Sequence, residues 1–229
     1  MIRAWWSKGP KPGNLGDVLT PVILRGLGHD VRWASRNRAD LLAIGSVIRF
    51  ARAGQRVWGS GAMWAKDRPS PKARYLAVRG PITGRLVAKN GGEDPGVYGD
   101  PALLLPLVHD RPVEKVHDLG VVPHYVDDAP EGPWETISPL SADPISVVDR
   151  IRQCRAIVSS SLHGVIVAHA YGIPAAWVMM SAKLDGDDTK FHDYAESVGI
   201  ELLPYLTVRS AHPVLPEPFD PAPLMSALA

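Results

Sequence analysis

The densest run of side chains capable of chemistry is Val158-Ser159-Ser160-Ser161-Leu162-His163-Gly164, set between an apolar stretch and a segment rich in Val, Ile and Ala. A histidine at a strand end, next to a helix N-terminus, can donate or accept a proton, and serines beside it can hold an oxyanion. A packed histidine capped by its serine neighbours fits the residues equally well. Serine hydrolysis is disfavoured, because no glycine precedes the serine at the G-x-S-x-G spacing.

Three further groups stand at similar places. Asn14-Leu15-Gly16-Asp17 closes a Gly- and Pro-rich loop and opens a helix, where free N–H groups and the helix dipole attract a polar or anionic ligand. The plainer reading makes Asn14 a turn residue and Asp17 the helix cap. In Val78-Arg79-Gly80-Pro81 an arginine ends an apolar strand, where its guanidinium can fork onto a carboxylate or phosphate, or lie on the surface. Asp100, in Gly99-Asp100-Pro101, reads more readily as the start of a turn than as a ligand contact. Lys190, in Thr189-Lys190-Phe191-His192, can meet a phosphate as a point charge or be solvated. The preceding Asp185, Asp187 and Asp188 lack the spacing and closing glutamate of a calcium loop, so no metal is assigned.

These groups need a scaffold that brings strand ends together. Strand candidates at Ile2 to Trp6, Val31 to Ala34, Leu41 to Ile44, Val57 to Gly59 and Tyr75 to Val78 alternate with helical patterns such as Asp17 to Leu27. A stretch of His, Asp, Arg and Pro from Pro106 to Lys115 reads as a linker. A second series comes after it: strands at Leu119 to Pro123, Thr136 to Ile137, Ala156 to Val158 and Ala175 to Met180. Helices are expected over Pro144 to Cys154, Val165 to Tyr171, Lys190 to Val198 and Pro221 to Leu228. This predicts an α/β protein of two parallel-sheet halves, 1–107 and 108–229, with ligands at the carboxyl ends of the strands.

Composition narrows the function classes. The chain has 229 residues, 45% hydrophobic and 21% charged, as in an ordinary globular protein. Its net charge of +1 suggests no broad cationic field for nucleic acid. One cysteine, Cys154, allows no internal disulfide, and the opening Met1 to Trp6 lacks the apolar core of a secretion signal. No apolar run approaches the roughly 20 residues of a membrane span. A cytoplasmic protein is expected, with a peripheral position at the cytoplasmic membrane left open.

Asn14-Leu15-Gly16-Asp17, Trp58-Gly59-Ser60-Gly61, Val78-Arg79-Gly80-Pro81, Gly99-Asp100-Pro101-Ala102, Ser160-Ser161-Leu162-His163-Gly164 and Lys190, in that order, resemble the signature of the polysaccharide pyruvyl transferase family. Val122-Pro123-His124-Tyr125 is most similar to the exopolysaccharide ketal-pyruvate transferases, and the likeness runs through nearly the whole chain. The resemblance implies two Rossmann-like halves in a glycosyltransferase-B-like arrangement, with the active site in the cleft between them. It implies no cofactor, phosphoenolpyruvate as donor, and a sugar acceptor, free or lipid-linked at the inner membrane surface. His163 then falls to the general acid, with Asp17 as a second catalytic candidate. Arg79, Ser160, Ser161, Leu162 and Lys190 fall to the donor, and Asn14, Gly16, Asp100 and His124 to the acceptor side. Ser161 stands where some relatives carry an arginine. A nucleotide-sugar glycosyltransferase and a non-catalytic glycan- or anion-binding subunit are the alternatives, and self-association stays open.

Overall fold

Alternating strand and helix patterns in the sequence build two separate parallel sheets, seen in a computed structural model that describes residues 1–229. The first contains β1 (Ile2–Trp5), β2 (Val31–Trp33), β3 (Leu41–Leu42), β4 (Arg56–Trp58) and β5 (Arg74–Ala77), in the order β2-β1-β3-β4-β5. The second contains β6 (His117–Val122), β7 (Glu135–Thr136), β8 (Cys154–Ser159) and β9 (Ala175–Trp177), in the order β7-β6-β8-β9. Every pairing within them is parallel. This is the α/β class expected, and two such sheets are consistent with a pair of Rossmann-like halves in a glycosyltransferase-B type of architecture.

The helices are α1 (Leu15–Gly26), α2 (Pro81–Lys89), α3 (Leu105–Val108), α4 (Pro144–Arg152), α5 (Leu162–Ala170), α6 (Thr189–Ser197) and α7 (Ala222–Leu228). Two begin earlier than the apolar periodicity suggests. Asn14 occupies the N-cap of α1, so Asp17 lies inside the first turn and is not the cap. Likewise α5 takes in Leu162 and His163, which the apolar pattern from Val165 onward does not include. The expected linker begins with α3, and the residues after that helix are anchored: Tyr171 Oη donates to the His109 carbonyl at 2.7 Å, and His109 pairs with Asp149 at 2.8 Å.

The halves are not loosely hinged. One hydrophobic cluster of 36 buried residues runs from Ala4, Leu15 and Trp58 through Val122, Ile157 and Val165 to Leu224 and Leu228. Helix α5 explains why. It is apolar all round, which suits a helix enclosed on every side. It packs on β8 and β9 of its own sheet and on the 3-10 turn Pro101–Leu104 of the first half. Helix α7 returns to the first sheet, where Leu224 accepts a 2.8 Å hydrogen bond from the Trp58 indole. The chain's last helix therefore packs with the first half, although the division at 107 and 108 assigned it to the second.

One core network carries a pH dependence. His169 bridges Tyr194 Oη, 2.9 Å from Nδ1, and the Val214 carbonyl, 3.0 Å from Nε2. The neutral ring, with its proton on Nε2, satisfies both. Burial pushes this imidazole down from its usual 6.5 to about 4. The unfolded chain then binds a proton that the native state refuses, so stability is complete above pH 6.5 and falls as pH drops toward 4. A loss of about 3 kcal/mol across that window is expected from the linkage. Urea unfolding at a series of pH values reads it, and His169→Gln should flatten the slope, leaving the part contributed by His124, which burial likewise pushes down to about 4. An unchanged slope in that variant would place the acid sensitivity elsewhere.

Candidate functional site

The carboxyl ends of strands from both sheets converge on one cavity of about 140 Å³. Asn14, Asp17, Ser46 and Met63 line it from the first half, and His124, Ser161, Leu162, His163 and Lys190 from the second. Asn14 and Asp17 follow β1, Ser46 follows β3, His124 follows β6, and Ser161 to His163 follow β8. Parallel strands place all these turns at the same edge, and that edge is where ligands sit in such sheets.

His163, on the first turn of α5, stands in the cavity wall with its side chain 12% exposed. Its Nε2 faces Oδ2 of Asp100 at 3.5 Å, and neither atom has a hydrogen-bond partner. Asp100 is fully buried and its other oxygen, Oδ1, accepts from the Ala102 N–H at 3.0 Å, which fixes the carboxylate while capping the turn at Pro101–Leu104. The turn reading of Asp100 holds for Oδ1, and Oδ2 is left free to face the imidazole. One free carboxylate oxygen thus faces the imidazole edge across 3.5 Å, with no other polar group between them to claim either atom. Gly16 packs directly on that ring. A Cβ there would sit 2.1 Å from Nδ1, so only glycine lets α1 approach His163 so closely.

Asp17 is half-buried and accepts a 2.9 Å hydrogen bond from Asn14 Nδ2. Burial raises its carboxyl, while Asn14 and the nearby His163 pull it back down. Lys190, buried at the start of α6, has its ammonium pushed down to about 8 by burial and by the charge of Arg79. Its Nζ reaches only the Asp185 carbonyl, at 3.4 Å. His124 is pushed down to about 4 by burial and by Lys190, and its Nδ1 receives a long 3.4 Å contact from the Val126 N–H. At neutral pH the cavity thus offers one cation that has no carboxylate within ion-pair distance, Lys190, and a neutral imidazole at His124.

Arg79 and Ser160 stand outside this lining. Arg79 is fully buried and its donors are taken: Nε gives to Asp193 Oδ2 at 3.0 Å, Nη1 to Ser46 Oγ at 2.8 Å and Nη2 to the Ala62 carbonyl at 2.6 Å. It touches the cavity only through Ser46, whose hydroxyl it holds. Ser160 Oγ gives to Asp127 at 2.6 Å and receives the His124 N–H at 2.8 Å, so this serine braces the loop that carries His124. Ser161 is at the N-cap of α5 without capping it through its side chain, which leaves first-turn N–H groups open at the cavity edge.

The sequence reading missed Asp193, which accepts from Arg79, from the Thr83 N–H at 2.8 Å and from Thr83 Oγ1 at 2.7 Å. It also missed Ser46, although the strand end Ile44-Gly45-Ser46 carried a legible signal of the same type as the others. No group of three or more His, Cys, Asp or Glu side chains could hold a metal ion, and no helix is long and apolar enough to cross a membrane.

Residues 70–181 match the family model described as polysaccharide pyruvyl transferase. The chain is 27% identical over 179 residues to the succinoglycan biosynthesis protein ExoV of Rhizobium meliloti (strain 1021), which covers 72% of this chain and 55% of that protein. It is 40% identical over 116 residues to the uncharacterized protein L143 of Acanthamoeba polyphaga mimivirus, covering 45% of this chain and 40% of the viral protein. The chain thus spans about half the length of the curated relatives it matches. The segment matched by the polysaccharide pyruvyl transferase model is just under half of the chain and contains the Val78 to Pro81, Gly99 to Ala102 and Ser160 to Gly164 motifs, so it is through these site-bearing turns that the chain is similar to that family.

Proposed function

We propose that the chain transfers a pyruvyl group from phosphoenolpyruvate to two hydroxyls of one sugar, in a polysaccharide or its lipid-linked precursor, closing a pyruvate ketal. The observation that carries this reading is the His163–Asp100 pair, enclosed at the wall of a cavity that also holds Lys190 and Asp17. The donor's methylene carbon takes a proton, and the carbon bearing the phosphate becomes electrophilic. One sugar oxygen bonds to that carbon, and the second oxygen displaces phosphate from it. Of the two hydroxyl protons released, one restores the acid and the other leaves with phosphate, so atoms and charge balance.

Each step has a group suited to it. Protonated His163, backed by the Asp100 carboxylate, is the acid for the methylene carbon. Lys190 and the first turn of α5 meet the donor's anionic groups in a site where low water content strengthens such contacts. Asp17, raised by burial, is suited to accept a hydroxyl proton. Ser161 and Leu162 shape the donor side, and Asn14 and His124 the acceptor side. A cavity of about 140 Å³ favours a compact three-carbon donor over a nucleotide sugar, since pockets for larger ligands commonly run about 300 to 1,000 Å³.

Phosphate release from phosphoenolpyruvate, measured with candidate acceptor glycans and mass spectrometry of the product, tests the reading. Turnover with a nucleotide sugar and none with phosphoenolpyruvate overturns it. The lysine adds a pH signature. Its ammonium, needed for the donor's phosphate, deprotonates as pH rises through about 8. The KM for phosphoenolpyruvate should therefore climb above that pH while kcat changes less, and Lys190→Ala should raise KM roughly 10- to 100-fold at neutral pH. A KM that ignores pH between 7 and 9 would remove Lys190 from the donor site.

A further inference from the structure

The net charge of +1 conceals a sharp division. Residues 1–107 carry 17 Lys and Arg against 7 Asp and Glu, a net of +10, and residues 108–229 carry 8 against 17, a net of −9. The sequence expectation of no broad cationic field holds for the sum and fails for the first half. Much of that positive charge gathers at the amino ends of the first sheet, the edge opposite the cavity described above. There Arg3, Arg38, Arg52, Arg56 and Arg74 line a concavity of about 600 Å³ with one acidic residue, Asp40.

This concavity is built on a fixed frame. Asp40 N–H donates to the Arg3 carbonyl, Arg56 N–H to the Asp40 carbonyl and Arg74 N–H to the Gln55 carbonyl, at 2.7, 2.9 and 2.8 Å. Buried Gln55 ties the two loops together, giving to the Arg36 and Ala39 carbonyls and accepting from the Arg52 N–H. Asp40 is already committed to Arg3, through Nε at 2.8 Å and Nη2 at 2.5 Å. Arg38, Arg52, Arg56 and Arg74 form no ion pair, and three of them are exposed. Four unpaired guanidiniums held on one rigid edge repel one another, and that cost is relieved by an anionic partner that forks onto them.

The geometry points to this arginine edge as a docking surface for an anionic phospholipid bilayer. A molecule of +10 and −9 halves orients on a negative plane with its basic half down, and each arginine near such a surface strengthens binding by roughly fivefold. Nucleic acid is the poorer match, because strand starts and tight loops form this edge, with no helix or ribbon to enter a groove. The inference does not rest on the proposed reaction.

Cosedimentation with vesicles tests it, comparing phosphatidylcholine alone with phosphatidylcholine mixed with phosphatidylglycerol. The intact protein should bind only the anionic vesicles, and binding should fall steeply with salt. R38A/R52A/R74A, with unchanged circular dichroism, should lose roughly 100-fold in affinity at three residues of about fivefold each. Its phosphate release should be unchanged, because none of the three lines the catalytic cavity. Equal binding to both vesicle types, or full binding by the triple variant, overturns the inference. So does displacement by millimolar inorganic phosphate but not by sodium chloride of equal ionic strength, which would mark a small-anion pocket. Tighter binding to duplex DNA than to the vesicles, or low-salt self-association that the triple substitution abolishes, overturns it in favour of those partners.

Discussion

Replacing His163 with alanine is expected to lower turnover by about 10²- to 10⁴-fold, the usual worth of a positioned general acid, while leaving the protein folded. The imidazole makes no hydrogen bond that holds the fold together: Nε2 faces only Asp100, at 3.5 Å, and the ring otherwise packs on Gly16. Its loss therefore removes a proton donor and some packing, but no strut. Asp100→Asn keeps the shape and the acceptor for Ala102 N–H, and removes the charge that supports a protonated ring. It should cost less turnover than His163→Ala, and combining the two should cost little beyond the histidine change alone, because the carboxylate acts through the ring. Steady-state phosphate release, with urea unfolding as the control, reads all three. Full turnover by a folded His163→Ala protein would end the general-acid assignment and favour a binding subunit.

The sequence made the two sheets legible because parallel strands bury both faces, so short apolar runs separated by helical patterns have few other readings. Strand ends then pointed to a candidate edge, where His163, Asp17 and Asn14 line one cavity together with Lys190 from the start of α6. Helix starts were less legible. Asn14 and Ser161 are residue types that favour N-caps, yet neither caps its helix through its side chain, and Asn14 spends its amide on Asp17. Long-range pairing was not legible at all. Arg79 and Asp193 are 114 residues apart, and nothing in either local pattern announces the other. The return of α7 to the first sheet depends likewise on one indole, Trp58, reaching the Leu224 carbonyl.

That hidden pair makes the second large prediction, and it runs against the donor-binding role that the motif suggested for Arg79. Both side chains are fully buried, and the pair joins β5 and α2 of the first half to α6 of the second. Arg79→Ala strands the Asp193 carboxylate among buried groups with only Thr83 left to donate, and a cost of about 3 to 5 kcal/mol is expected. The apolar pair Arg79→Met with Asp193→Leu should regain much of that loss, since it leaves no uncompensated charge. Denaturant unfolding of the singles and the double gives the coupling directly. The consequence for the cavity is indirect. Arg79 fixes the Ser46 hydroxyl and its charge helps hold the Lys190 ammonium down to about 8, so the double variant should keep its fold while the alkaline rise in KM moves to higher pH. A stable Arg79→Ala protein with only a raised KM for phosphoenolpyruvate would reverse this, and return the guanidinium to the donor.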